Sequence, residues 1–76
     1  MSEVKWLDEF GYRLKKQLEY AWMSRAELAE ITVISLPTIC RYISGQQKPS
    51  ITNVINITRA LDCDIDTLVN VDEDIH

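Results

Sequence analysis

A 22-residue stretch, SRAELAEITVISLPTICRYISG from Ser24 to Gly45, constrains the fold more than any other part of the chain. Ser24 and Glu27 have the S-x-x-E spacing in which each side chain satisfies the other residue's backbone N–H, so a helix is predicted to begin at Ser24. Ala26, Leu28, Ala29 and Ile31 are its expected apolar contacts. The β-branched cluster Ile31 to Ile34 is too short for a strand and falls where a turn is needed. Ser35 is a second N-cap, and Pro37 lies in the following first turn, where a missing N–H does no harm. Gly45 is a natural stop. At 100° per residue, Ile39, Tyr42 and Ile43 share one side of this second helix. Leu36, Pro37, Cys40, Arg41 and Ser44 lie on the other side or its flanks. The stretch reads as two short helices joined by a three-residue turn.

The remaining residues supply a scaffold for that pair. Leu7, Phe10, Leu14 and Leu18 form one apolar stripe on a helix predicted from about Val4 to Ala21. Gly11 inside it costs roughly 1 kcal/mol relative to alanine, which points to close packing against a neighbour. Gln46 to Pro49 form a loop, and Ser50 caps a fourth helix, Ile51 to Leu61, with Val54, Ile57 and Leu61 inward. Asp64 caps a short fifth helix from Ile65 to about Val71. The expected fold is all-α, a compact five-helix bundle, with one domain over residues 1–71 and an acidic tail, 72–76, that frays. Seventy-six residues leave no room for a second domain, and 46% hydrophobic residues are ample for one core.

Several function classes have no support. Cys40 and Cys63 have neither a disulfide framework nor zinc spacing, and read as small apolar side chains in a reducing compartment. The single histidine, His76, is the last residue and is not placed to act as a base. There is no glycine-rich phosphate loop, and the clustered aspartates lack calcium-loop spacing. The chain is therefore expected not to be an enzyme, and no motif calls for a metal, cofactor or small-molecule ligand. No run approaches the ~20 apolar residues that cross a bilayer. The N-terminal MSEVKWLDE is too polar and acidic for a signal peptide, so a cytoplasmic location is expected.

Two short helices at this spacing outline a DNA-binding helix-turn-helix, whose second helix enters the major groove. Around that outline the chain resembles the lambda-repressor-like family of the Cro/repressor, or XRE, type. The resemblance is carried by GYRL at 11–14, SRAELAE at 24–30, ISLPTICRY at 34–42, Gly45, KPS at 48–50 and ITRALDCDIDTL at 57–68. It covers nearly the whole chain in order. It implies a five-helix DNA-binding domain, often dimeric on a two-fold-symmetric operator, in a small regulator of the phage or mobile-element kind.

Carried over position by position, the resemblance makes Leu36, Pro37, Thr38, Cys40 and Arg41 base-facing. Only Arg41 among them offers a bidentate hydrogen bond, best to guanine. Leu36 and Pro37 suit thymine methyls. Phosphate contacts are implied for Arg25, Ser35, Ser44, Gln46 and Lys48, and for the helix N-termini at Ser24 and Ser35. Four positions depart from the family pattern. Val33 replaces the usual turn glycine, and a left-handed conformation there would cost about 1–2 kcal/mol. Arg25 replaces a glutamine, Ile43 replaces the glutamate that pairs with Arg13, and Asp62 replaces a glycine after the fourth helix.

The net charge of −4 looks unsuited to nucleic acid, yet it is unevenly spread. Residues 1–61 carry all eight basic groups and six acidic ones, and residues 62–76 carry six acids and no base. The acidic end could lie away from DNA, near a dimer axis, or screen the DNA face. Phe10 and Tyr42 are expected in the core, while Trp6 and Trp22 are too many for so small a protein to hide, and one of them is a candidate for a subunit interface. Ile51 and Ile55 share a face beside the core stripe, and with Val69 and Val71 they form the expected homodimer interface. The main expectation is a sequence-specific regulator, a repressor or Cro-like protein, with a double-stranded DNA operator as partner and no membrane. The alternative is a protein-interaction module on the same fold, an antitoxin, anti-repressor or inhibitor with weak or no DNA binding. Net acidity and an apolar recognition helix favour it.

Overall fold

Four of the five helices end on a residue with left-handed backbone, and only one of those residues is glycine. The computed structural model describes the backbone of residues 2–69 and the side chains of residues 9–69. Its elements are α1 (Ser2–Ala21), α2 (Arg25–Thr32), α3 (Leu36–Ser44), α4 (Ile51–Leu61) and α5 (Ile65–Leu68). No strand occurs among the described residues, and the fold is all-α.

The ends of α1, α3 and α4 share one pattern. After α1 the N–H of Trp22 bonds to Glu19 O and that of Met23 to Leu18 O. After α3, Gly45 and Gln46 bond to Tyr42 O and Arg41 O in the same way, and after α4, Asp62 and Cys63 bond to Arg59 O and Thr58 O. Each pair satisfies two orphaned carbonyls, with the left-handed residue immediately after the helix. Trp22 (φ 54), Gly45 (φ 78) and Asp62 (φ 53) hold those places. Aspartate tolerates the conformation better than most residues, whereas a tryptophan there gives no sequence signal at all.

The core gathers one face of every helix. Phe10, Leu14 and Leu18 come from α1, Leu28 from α2, Ile39 and Tyr42 from α3, Val54, Ile57 and Leu61 from α4, and Leu68 from α5. The expected stripe on α1 is thus the buried one, except that Leu7 lies outside the residues whose side chains are described. Phe10 and Tyr42 meet edge to face, 6.3 Å between centroids, at the α1–α3 contact. Gly11 explains how α1 and α3 come so close. A Cβ at residue 11 would overlap the Ile43 carbonyl oxygen and stand 2.8 Å from Tyr42 O.

Three expectations are corrected. Ala26 and Ile31 are exposed rather than apolar contacts of α2. The buried face of α2 is centred among Leu28, Ala29 and Thr32, and at 100° per residue Ala26 and Ile31 fall about 100° to either side of it. Asp64 occupies the N-cap position of α5 but its side chain makes no capping bond. α5 stops at Leu68 rather than near Val71, because the β-branched Val69 turns extended (φ −122, ψ 137) once Leu68 has filled the core. Val71 and the tail 72–76 lie outside the described residues.

Candidate nucleic-acid interface

The pair α2–α3 is built from its caps inward. Ser24 N–H donates to Glu27 Oε1 at 2.8 Å and Glu27 N–H donates to Ser24 Oγ at 3.0 Å, the reciprocal pair expected from the sequence. The turn that follows is pinned by a residue without a sequence signature. Buried Thr32 donates its hydroxyl to Leu28 O (2.7 Å) and accepts from Ile34 N–H (3.3 Å). That leaves Val33 at φ 59, ψ 29, so the turn keeps the left-handed geometry despite the loss of glycine. The side chain of Val33 is 90% exposed and gains nothing from packing. Ile34 is drawn into the core in compensation.

α3 is fixed by its inner side. Ile39 and Tyr42 are fully buried, and Asn53 Nδ2 of α4 donates to Tyr42 Oη at 2.9 Å. Leu36, Pro37 and Arg41 are exposed on the outer side. Arg41 makes no side-chain hydrogen bond or ion pair with any described residue. Its guanidinium is therefore available as a fork of donors. Thr38 and Cys40 are less available. Thr38 is half-buried, with Oγ1 2.7 Å from Ser35 Oγ. Cys40 is half-buried and receives Arg25 Nη1 at 3.9 Å from its sulfur.

The residues expected on phosphate are scattered by their local partners. Arg25 opens α2 and reaches across to α3 through Cys40, which places one cation at the seam of the two helices. Ser35 Oγ accepts from Thr38 N–H at 3.3 Å and serves as a cap. Ser44 turns its hydroxyl back onto Arg41 O at 3.2 Å. Gln46 and Lys48 are exposed in the loop after α3. Among the residues expected at a subunit interface, Ile51 and Ile55 are 65% and 40% exposed and lie one turn apart on α4. Val69 is half-buried against the core, and Val71 lies outside the described residues.

Neither cysteine forms a disulfide. Burial pushes the Cys63 thiol above its ordinary value, opposed by a hydrogen bond with Gln17 and reinforced by the Asp64 and Asp62 carboxylates. It is a packed, neutral thiol. No helix among the described residues is long and apolar enough to cross a membrane.

With this geometry in place, comparison with known proteins is decisive on family. The model of the helix-turn-helix family (HTH_3) matches residues 14–68. The chain belongs to the helix-turn-helix family. The match takes in the last eight residues of α1 and all of α2 to α5, and leaves out the first twelve residues of α1. Among curated proteins, the replication factor C small subunit of Thermococcus kodakarensis is 41% identical over 79 residues. That alignment covers 92% of this chain but 9% of the archaeal protein, so the chain spans about a tenth of its length. Among solved structures, the restriction-modification controller protein C.AhdI of Aeromonas hydrophila superposes with a TM-score of 0.79 at 26% identity, covering 82% of this chain and 94% of that one. A helix-turn-helix transcriptional regulator of Vibrio cholerae superposes with a TM-score of 0.84 over 96% of this chain and 41% of its own. At 18% identity that likeness is one of fold. The helix-turn-helix family assignment supports a DNA-binding regulator.

Proposed function

We propose that this chain is a sequence-specific transcription regulator of the repressor or Cro-like kind that reads the major groove with α3 and works as a homodimer in the reducing cytoplasm. One observation carries the proposal. α3 is clamped from behind by fully buried Ile39 and Tyr42, while Arg41 projects from its front without a side-chain partner among the described residues. A rigid helix with a free guanidinium is the arrangement that bidentate guanine recognition requires. Leu36 and Pro37 supply apolar contact to thymine methyls. With Thr38 and Cys40 partly engaged inside the protein, hydrogen-bonded readout narrows to Arg41. The remaining discrimination comes from DNA shape and from the spacing of two half-sites. Arg25 and Lys48, with Ser35, Ser44 and Gln46, fix register on phosphates.

The test is a salt-titrated binding assay against random duplex and against the DNA flanking the protein's own gene. A regulator binds the flanking DNA at least ~10³-fold more tightly than random duplex. Both affinities fall as salt rises, through release of condensed counterions.

The exposed apolar residues around the turn, Ile31 and Val33 with Leu36, support a second reading in which the same surface engages a protein. The two readings part cleanly in the same assay. A protein-interaction module shows no preference for flanking DNA at any salt.

A further inference from the structure

Trp22 is the most exposed large apolar side chain among the described residues, at 94%. It sits in the corner between α1 and α2 in a left-handed conformation that glycine fills best. Folding therefore gains nothing from this indole, and its backbone is better suited to another residue. The next residue, Met23, turns inward against the core and Ser24 caps α2, so the chain on either side of the indole is fixed. Trp22 forms the rim of two open grooves. One, of about 590 Å³, runs past Lys15, Glu19, Met23, Ser24 and Arg25. The other, of about 380 Å³, runs past Lys16, Glu19 and Tyr20. Three cations thus surround the indole against one carboxylate, Glu19, which Lys16 Nζ meets at 3.9 Å.

We propose that Trp22 is a DNA-backbone contact, its indole lying on the deoxyribose–phosphate chain beside the segment that α3 reads, between Lys15 and Arg25. The proposal rests on the DNA reading above. The indole Nε1–H is a donor with no acceptor function, which matches a phosphate oxygen. Its flat apolar body covers the hydrophobic face of a deoxyribose. The position is continuous with the interface, since Trp22 precedes by two residues the cap of α2, and Arg25 is the first residue of that helix. Charge selects the duplex over a second protein. An apolar partner would have to desolvate Lys15, Lys16 and Arg25, whereas a phosphate chain satisfies them.

The experiment uses a Trp6→Phe protein, in which Trp22 is the one remaining tryptophan, and a random duplex at low salt. Trp22 emission is expected to change on binding and its quenching by acrylamide to fall. In the otherwise unaltered chain, Trp22→Ala is expected to weaken binding to every duplex roughly 5- to 10-fold with the salt slope unchanged, because the indole carries no charge. Trp22→Gly is expected to bind as weakly as Trp22→Ala yet melt a few degrees above the parent, since glycine relieves the left-handed backbone. A purely structural tryptophan would lower the melting temperature instead. If duplex binds but Trp22 stays as quenchable as in the free protein, or Trp22→Ala binds like the parent, this contact is refuted and the DNA reading stands. If the unaltered chain binds no duplex at low salt, the DNA reading falls and Trp22 loses its partner with it.

Discussion

Asn53 Nδ2 of α4 donates to Tyr42 Oη of α3 at 2.9 Å, joining the helix that presents Arg41 to the helix that presents Ile51 and Ile55. Tyr42 is otherwise enclosed by apolar side chains, with Phe10 against its ring edge. The bond therefore gives its hydroxyl the one polar partner it needs inside the core. Tyr42→Phe keeps the ring and removes the bond, leaving the half-buried Asn53 amide unpaired. We expect a loss of about 1 kcal/mol and a melting temperature lower by roughly 4–8 °C. A variant that melts with the parent would show that water replaces the hydroxyl at no cost.

Gly11→Ala should destabilise, which is the reverse of what an alanine does inside an exposed helix. Helix propensity alone favours alanine by about 1 kcal/mol. Here the added methyl would overlap the Ile43 carbonyl, and backbone cannot rotate aside as a side chain can. α1 and α3 would have to separate, at a cost of about 1–3 kcal/mol for overpacking. Chemical denaturation reads the sign directly, and a stabilised variant would mean that α1 and α3 do not touch along this line.

Val33→Gly should stabilise by roughly 0.5–1 kcal/mol, because the left-handed cost of a β-branched residue exceeds the extra chain entropy of glycine. The side chain is 90% exposed, so little packing is lost with it. Thermal melting tests the gain. An unchanged or lower melting temperature would place Val33 outside the left-handed region in solution.

Arg41→Ala is expected to cost ~1–3 kcal/mol on the best DNA site and to relax specificity at the base pair that Arg41 reads. Lys48→Ala is expected to weaken all sequences about equally and to flatten the salt slope by roughly one unit. Binding to parallel panels of specific and random duplex separates the two patterns. Specific binding that survives Arg41→Ala would mean that α3 is not the reading helix.

How far the sequence carried the fold depended on whether a feature was local. Ser24–Glu27, the Ser35 and Ser50 caps and Gly45 involve neighbours a few residues apart, and all have the structure expected of them. The inward stripes of α1 and α4 were legible because each helix is long enough for its period to show. α2 has eight residues, too few to fix its face, and Ala26 and Ile31 were misplaced for that reason. The Thr32 bonds are local too, yet threonine carries no signature for them, while the burial of Ile34 and the reach of Arg25 toward Cys40 arise only when the helices meet. The left-handed Trp22 was invisible because no residue type other than glycine or asparagine advertises that place. At the site, exposure of Leu36, Pro37 and Arg41 followed from periodicity. The engagement of Thr38 and Cys40 inside the protein did not.

Ile51 and Ile55 set up the last prediction, which concerns assembly. They lie one turn apart on the outer side of α4, at 65% and 40% exposure, and the monomer's core closes without them. Val69 already packs on that core, so the part of the expected interface that is open to a second copy is centred on α4. A single α3 with one bidentate reader cannot supply operator-grade discrimination, whereas two copies reading half-sites about 34–36 Å apart multiply it. We therefore expect the parent to sediment as a dimer at micromolar concentration and its melting temperature to rise with protein concentration. Ile51→Asp combined with Ile55→Asp should sediment as a folded monomer whose melting temperature no longer depends on concentration. It should lose cooperative binding to a two-half-site duplex while keeping its weak affinity for random DNA, since Arg25, Arg41 and Lys48 are untouched. A double variant that remains dimeric would move the interface off α4. A parent that stays monomeric even on DNA would remove the dimer and favour the protein-binding reading of the same fold.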